Sequence, residues 1–123
     1  MASNKIINIA PVALVLTTPT NIVSPGTGIT SPVGYTGTAP YIILRHIRIL
    51  NKTGTAATFS LYKGGTGGSV AGTEVVGTGQ SVAANSAYDW YGMMRLDGTD
   101  FLTGFANTGT ALTFQAEGEI GIS

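Results

Sequence analysis

Leu112-Thr-Phe-Gln-Ala-Glu-Gly-Glu-Ile-Gly-Ile122 decides the fold class. Leu112, Phe114, Ala116, Gly118, Ile120 and Ile122 alternate with Thr113, Gln115, Glu117, Glu119 and Gly121. Side chains along a strand point to opposite faces in turn, so this stretch is a strand with one apolar and one wet face. Helical periodicity is found nowhere in the chain. Working backwards, residues 101–105 read either as a short strand or as a single helical turn, after an Asp97-Gly-Thr-Asp100 turn. Residues 86–92 read as an aromatic strand, with Tyr88 and Trp90 on one face and Asp89 and Tyr91 on the other. Residues 73–76 are a short strand before a Gly77-Thr-Gly79 turn. Residues 57–63 place Phe59 and Leu61 inward. Residues 41–51 set Ile43, Ile47 and Ile49 against His46 and Arg48, with Arg45 blurring the alternation. The turn at Asn51-Lys-Thr-Gly54 makes residues 41–51 and 57–63 read as a hairpin.

Short strands with turn signals every eight to twelve residues specify an all-β chain, an antiparallel β-sandwich or jelly roll. Thr53-Gly-Thr-Ala-Ala-Thr-Phe59 recurs as Thr108-Gly-Thr-Ala-Leu-Thr-Phe114. The repeat reads either as two equivalent hairpins, one per sheet, or as good turn chemistry meeting a strand twice.

The first forty residues differ in kind. They hold all five prolines (Pro11, Pro19, Pro25, Pro32 and Pro40) and only one of the twelve charged residues, Lys5. Proline fixes φ and removes a donor, so this stretch is neither a helix nor a run of central strands. Disordered tails are normally charged, and this one is not. It reads as an extended N-terminal arm, residues 1–40, with an edge strand at 12–18 and a long loop over 21–40, followed by a β-sandwich domain, 41–123. Ile22, Val23, Pro25, Ile29, Pro32, Val33, Tyr35 and Pro40 are its expected partner contacts. The division at residue 40 implies a sandwich that folds without the arm.

Composition narrows the function. The 12.6 kDa chain carries six basic and six acidic residues, a formal net charge of zero, and 10% charged residues against a usual value of about 25%. A nucleic-acid binder would carry a basic face, so no nucleic-acid partner is expected. Residues 6–16 are too short to span a membrane and lack a signal-peptide cleavage site, so no membrane partner is expected. The chain has no cysteine and one histidine, which excludes disulfides and thiolate metal sites; oligomerisation is the remaining aid to a small core.

The chemistry-bearing residues are sparse. His46 has no nucleophile or orienting acid in its local sequence and reads as structural. Asp97 and Asp100 bracket a turn without the further ligands of a calcium loop. Glu117 and Glu119 read as a solvated strand face rather than as a glycosidase pair. The glycines from Gly64 to Gly68 lack the Gly-Lys-Ser/Thr ending of a phosphate loop. Asn51-Lys52-Thr53 matches a glycosylation acceptor that a chain without a secretion signal leaves idle. No catalytic residue, cofactor or metal is expected, and the chain is read as not an enzyme. Tyr88, Trp90 and Tyr91 form the one aromatic cluster, which serves either as glycan or interface aromatics or as core and rim.

Residues 44–122 resemble small virion proteins of tailed bacteriophages and prophages. The resemblance rests on Leu44-Arg-His-Ile-Arg-Ile-Leu-Asn51, Thr53-Gly-Thr-Ala-Ala-Thr-Phe-Ser-Leu-Tyr62, Gln80-Ser-Val-Ala-Ala-Asn-Ser86, Asp89-Trp-Tyr-Gly92, Leu96-Asp-Gly-Thr-Asp-Phe-Leu-Thr-Gly104 and Glu117-Gly-Glu-Ile120. It implies a virion structural protein, made in the host cytoplasm, whose sandwich forms a homotrimer and decorates or cements the capsid surface against the major capsid protein or another virion protein. The other implied role is a carbohydrate- or receptor-binding module of a tail or fibre.

Overall fold

The computed structural model describes residues 5–14, 20–26, 29–30, 36–65, 68, 71–107 and 111–121. They form ten strands and no helix: β1 (Lys5–Ala13), β2 (Thr20–Val23), β3 (Ile29–Thr30), β4 (Thr36–Gly37), β5 (Tyr41–Asn51), β6 (Ala57–Gly64), β7 (Glu74–Val82), β8 (Ser86–Asp97), β9 (Phe101–Ala106) and β10 (Leu112–Ile120). Eight of them make two antiparallel sheets, a first ordered β1-β10-β5-β8 and a second ordered β2-β9-β6-β7, while β3 and β4 pair as a small hairpin. Both sheets feed one apolar core. Ile42, Leu44, Ile47, Ile49, Leu112 and Phe114 come from the first, and Phe59, Leu61, Val82 and Leu102 from the second. The all-β, antiparallel, two-sheet expectation holds.

The long strands alternate between sheets. Of the eight strands of the two main sheets, only β6 and β7 are consecutive in one sheet; β5 pairs with β10 and β8, and β6 with β7 and β9. The expected hairpin of residues 41–51 with 57–63 is therefore corrected. Their connection is a corner from one sheet to the other, and Asn51 locks it. The Asn51 side chain is fully buried; its Nδ2 donates to the Thr55 carbonyl at 3.0 Å and the Val82 carbonyl at 3.1 Å. Its Oδ1 accepts from the Thr53 backbone N–H at 2.9 Å and the Thr53 hydroxyl at 2.7 Å. All its bonding capacity facing the corner is thus in use, and its amide is closed to glycosylation. Neither copy of the Thr-Gly-Thr-Ala repeat lies between paired strands: β5 and β6 belong to different sheets, as do β9 and β10, and residues 108–110 of the second copy lie outside the described residues.

Arg45 blurred the alternation of β5 because a bulge sits there. Register against β10 shifts between Glu117 and Gly118, and against β8 between Leu44 and His46. Ile42 and Leu44 face inward, then Ile47, Ile49 and Asn51. Arg45 and His46 both lie on the outer side of this change of phase, which also turns Ile43 away from the core. A bulge places two residues opposite one and lets the ladder resume with its phase reversed. Gly118 makes it fit: a Cβ at this position would lie 2.0 Å from the Ile43 carbonyl oxygen.

The described stretches of the first forty residues contribute a strand to each sheet. β1 is an edge strand of the first sheet, paired with β10, and β2 an edge strand of the second, paired with β9. The strand expected at 12–18 is observed at Lys5–Ala13; residues 15–18 lie outside the described residues. Pro11 is tolerated because β1 is an edge and its register breaks between Ile9 and Val12. The expected loop over 21–40 holds β2, β3 and β4. Sequence reading missed these strands because proline and glycine punctuation hides short edge pieces whose burial comes from the other sheet. Likewise, Gly77 and Gly79 mark an interruption inside β7 rather than its end, and residues 101–105 belong to strand β9.

Candidate functional site

Seven of the twelve charged side chains, Arg45, Arg48, Asp89, Arg95, Asp97, Glu117 and Glu119, lie on the outer-facing positions of β5, β8 and β10. The pairing registers set them side by side. His46 stands opposite Glu117 on β10 and Tyr91 on β8, and Arg48 opposite Asp89. Direct cross-strand neighbours have Cβ atoms about 5 Å apart, so each pair is within reach.

His46 is the hub. Its Nε2 lies 2.8 Å from Asp89 Oδ1, and its Nδ1 lies 3.3 Å from Glu117 Oε1. A singly protonated ring donates to one of these carboxylates, and a doubly protonated ring donates to both. The Tyr91 ring stacks flat on the imidazole, 4.5 Å between centroids and 5° between planes. Arg48 Nε donates to the same Asp89 Oδ1 at 2.8 Å. The Arg48 hydrogen bond, followed by that of His46, holds the Asp89 carboxyl below its ordinary range; the same bond raises the Arg48 guanidinium above its own. Arg45 pairs with Glu119, and Arg95 with Asp97, while the Arg95 guanidinium also lies 4.3 Å above the Tyr41 ring.

Beside this network, at the register break of β1 against β10, a concavity of about 350 Å³ is lined by the polar Asn8, His46, Arg48, Gln115 and Glu117 and the apolar Ile9, Pro11 and Ala116. It offers amide, imidazole, guanidinium and carboxylate groups. The acids and bases here are satisfied by one another, which suits a surface of fixed shape and alternating charge more than a proton-transfer centre.

The structure separates the expected aromatic cluster. Tyr88 and Trp90 pack against the core, Tyr88 edge-on to Phe59 at 5.6 Å between centroids. Tyr91 faces the other way and is 71% exposed. The three do not form one stacking platform, because successive residues of a strand face opposite sides. The expected partner surface is also corrected in part. Val23, Pro25 and Ile29 are buried, and Ile22 packs against the core, so these side chains are covered within their own chain. Pro40 is exposed; Pro32, Val33 and Tyr35 lie outside the described residues.

Asp97 and Asp100 cap their own turn: the Asp100 N–H donates to the Asp97 carbonyl, and the Asp97 N–H to Asp100 Oδ2, both at 2.9 Å. Glu117 and Glu119 are tied to His46 and Arg45 on a strand face that stays wet, the Glu117 side chain being 55% exposed. Sequence reading missed the His46 hub because its two acids are 43 and 71 residues away. The available signal was shared outward phase on three strands, which becomes useful only once β5 is known to lie between β8 and β10.

Comparison of the chain with protein-family models, and with curated proteins, finds no match.

Proposed function

We propose that the chain is a non-enzymatic virion structural protein, a jelly-roll sandwich that decorates or cements a bacteriophage capsid as an oligomer. One observation carries this reading, the strand order. Numbered along the chain without the β3-β4 hairpin, the eight long strands run 1-8-3-6 in one sheet and 2-7-4-5 in the other. That order results when an antiparallel ribbon of four strand pairs (1 with 8, 2 with 7, 3 with 6, 4 with 5) is rolled up, the double Greek key of jelly rolls in viral capsids and lectins. The step from fold to role is one of analogy. It is supported by sparse charge, which leaves self-association weakly opposed, and by the resemblance of residues 44–122 to phage virion proteins. On this reading the chain sits on the capsid surface, bound to copies of itself and to the major capsid protein or another virion protein. Of the expected arm contacts among the described residues, Pro40 is the exposed member.

The test is to purify particles from the producing host and look for the chain by mass spectrometry and immunogold electron microscopy. Stoichiometric label on the capsid surface is expected, and particles free of the chain would refute the proposal.

A specific observation favours carbohydrate or receptor binding as the second reading. Tyr91 exposes one ring face close to a concavity rich in hydrogen-bonding side chains. It moves the sugar platform from Trp90 to Tyr91. A glycan array probed with the native chain and with Tyr91→Ala decides it: binding lost in the variant supports this reading, and an array without signal removes it.

A further inference from the structure

A two-sheet fold has four edges, each presenting unpaired N–H and C=O groups to which another chain can add. Three of the four carry a device against such pairing. β1 contains Pro11, which has no N–H, at a break in its register. β2 is four residues long. β7 is interrupted where its pairing with β6 jumps from Gln80 to Val75, with Val76 and Gly79 held at φ of 67° and 61°. β8 is the least guarded: Gly92 and Met93 bulge opposite Arg45 of β5, but the strand runs for twelve residues without proline or lysine and keeps Tyr88, Trp90, Met94 and Leu96 in one inward phase across the bulge.

The outer positions of β8 are self-complementary. In order they are Asp89, Tyr91, Met93 and Arg95. Tyr91 and Met93 are the large apolar side chains most exposed among the described residues, at 71% and 66%. Laid antiparallel on a second copy, with Gly92 facing Gly92, the strand sets Asp89 opposite Arg95 and Tyr91 opposite Met93, each pair occurring twice. Opposite charges and a thioether on an aromatic ring are favourable cross-strand neighbours. The groups remain able to bond: Arg48 and His46 both engage Oδ1 of Asp89, and Arg95 gives Asp97 only its Nε–H among the bonds to that carboxylate.

We propose that β8 pairs with β8 of a second copy of this chain, antiparallel about a two-fold axis at Gly92, joining two first sheets into one sheet of eight strands. Main-chain hydrogen bonds supply the adhesion, and the Asp89-Arg95 and Tyr91-Met93 pairs set the register. The pairing does not rest on the virion role, since any role leaves the same edge open, but it puts a two-fold in place of the trimer that the resemblance implies.

The full chain is first weighed by sedimentation equilibrium. An even-numbered oligomer is expected, and Met93→Lys, which sets a lysine on the edge, should weaken self-association roughly tenfold or more while the far-ultraviolet circular dichroism stays native. Register is then read with cysteines, of which the chain has none. A mixture of Tyr91→Cys with Met93→Cys should cross-link under mild oxidant several-fold faster than either variant alone, because those positions face each other within disulfide reach. A native monomer, an odd-numbered oligomer such as a trimer, or equal cross-linking in mixed and separate samples overturns the proposal. Should Met93→Lys fail to fold, the cysteine mixture decides. Capture of another protein's strand by an otherwise monomeric chain also overturns it.

Discussion

Replacing Gly118 by alanine puts a methyl carbon 2.0 Å from the Ile43 carbonyl oxygen, 2.9 Å from its carbon and 3.0 Å from the Leu44 Cα. All three atoms are backbone, so no side chain can rotate away. Carbon and oxygen need about 3.2 Å, and β10 must therefore move more than 1 Å from β5, where the two central strands of the first sheet change register. Overpacking of this kind costs about 1–3 kcal/mol, and the two backbone hydrogen bonds flanking the bulge are worth about 1 kcal/mol each. A loss of about 3–4 kcal/mol corresponds, for a chain of this length, to a fall in melting temperature of about 12 °C or more. Gly54→Ala is the control, since a Cβ there meets nothing within 4 Å; it should stay within about 0.5 kcal/mol of native. Thermal unfolding by circular dichroism, with urea titration as a second measure, compares the three proteins. If Gly118→Ala melts within about 2 °C of Gly54→Ala, the bulge is not the constraint described.

Asn51→Asp turns a buried donor toward the Thr55 and Val82 carbonyls into an acceptor, and should cost about 3 kcal/mol or more by denaturant unfolding; an unchanged midpoint would remove Asn51 as the lock of the corner. Asp89 titrates below its unfolded value of 3.8 because Arg48 and His46 bond its ionised form. The stability this gives is present above pH 3.8 and is lost as pH falls through the lower folded value, so the difference between native and Asp89→Asn should be flat above about pH 5 and shrink below pH 3.8. A difference that instead grew on acidification would contradict the pairing. Deleting residues 1–40 strips β1 and β2 from both sheets and uncovers the surfaces that Ile9, Leu14, Val23 and Ile29 bury; the remainder should show no cooperative thermal transition, and a sharp one would restore the arm as separable.

Strand existence was legible wherever one face meets core and the other water. β10 shows it best, with its inner and outer positions as the alternation requires. β5 was legible in its bounds but not in its phase, because a bulge reverses alternation and only the neighbouring strand reveals the extra residue. Pairing was not legible: the turn at 51–54 has good hairpin chemistry, and what makes it a corner is Val82, thirty-one residues from Asn51. The first forty residues misled for a related reason. Proline spacing reports what a segment cannot be, while the burial of Val23 depends on a partner more than seventy residues away, Leu102, with which it pairs.

The distribution of charge follows from the same topology. In a fold of two antiparallel sheets such as this one, a strand such as β5, flanked by β10 and β8, has neighbours far away in sequence, so its polar residues can be matched only after folding. Here the matched residues include His46, Arg48, Glu117 and Asp89, on the outer face of the first sheet. Surface pairs of this sort add little stability, about 0–1 kcal/mol each, so the concentration of charge on one face is not explained by folding energy. It is better explained as a fixed pattern of sign and shape. That pattern continues onto β8 at Asp89 and Arg95, beside Tyr91 and Met93, where a sheet edge stays open. The sparse charge of this chain thus marks its most informative surface, at the opposite edge of the first sheet from β1.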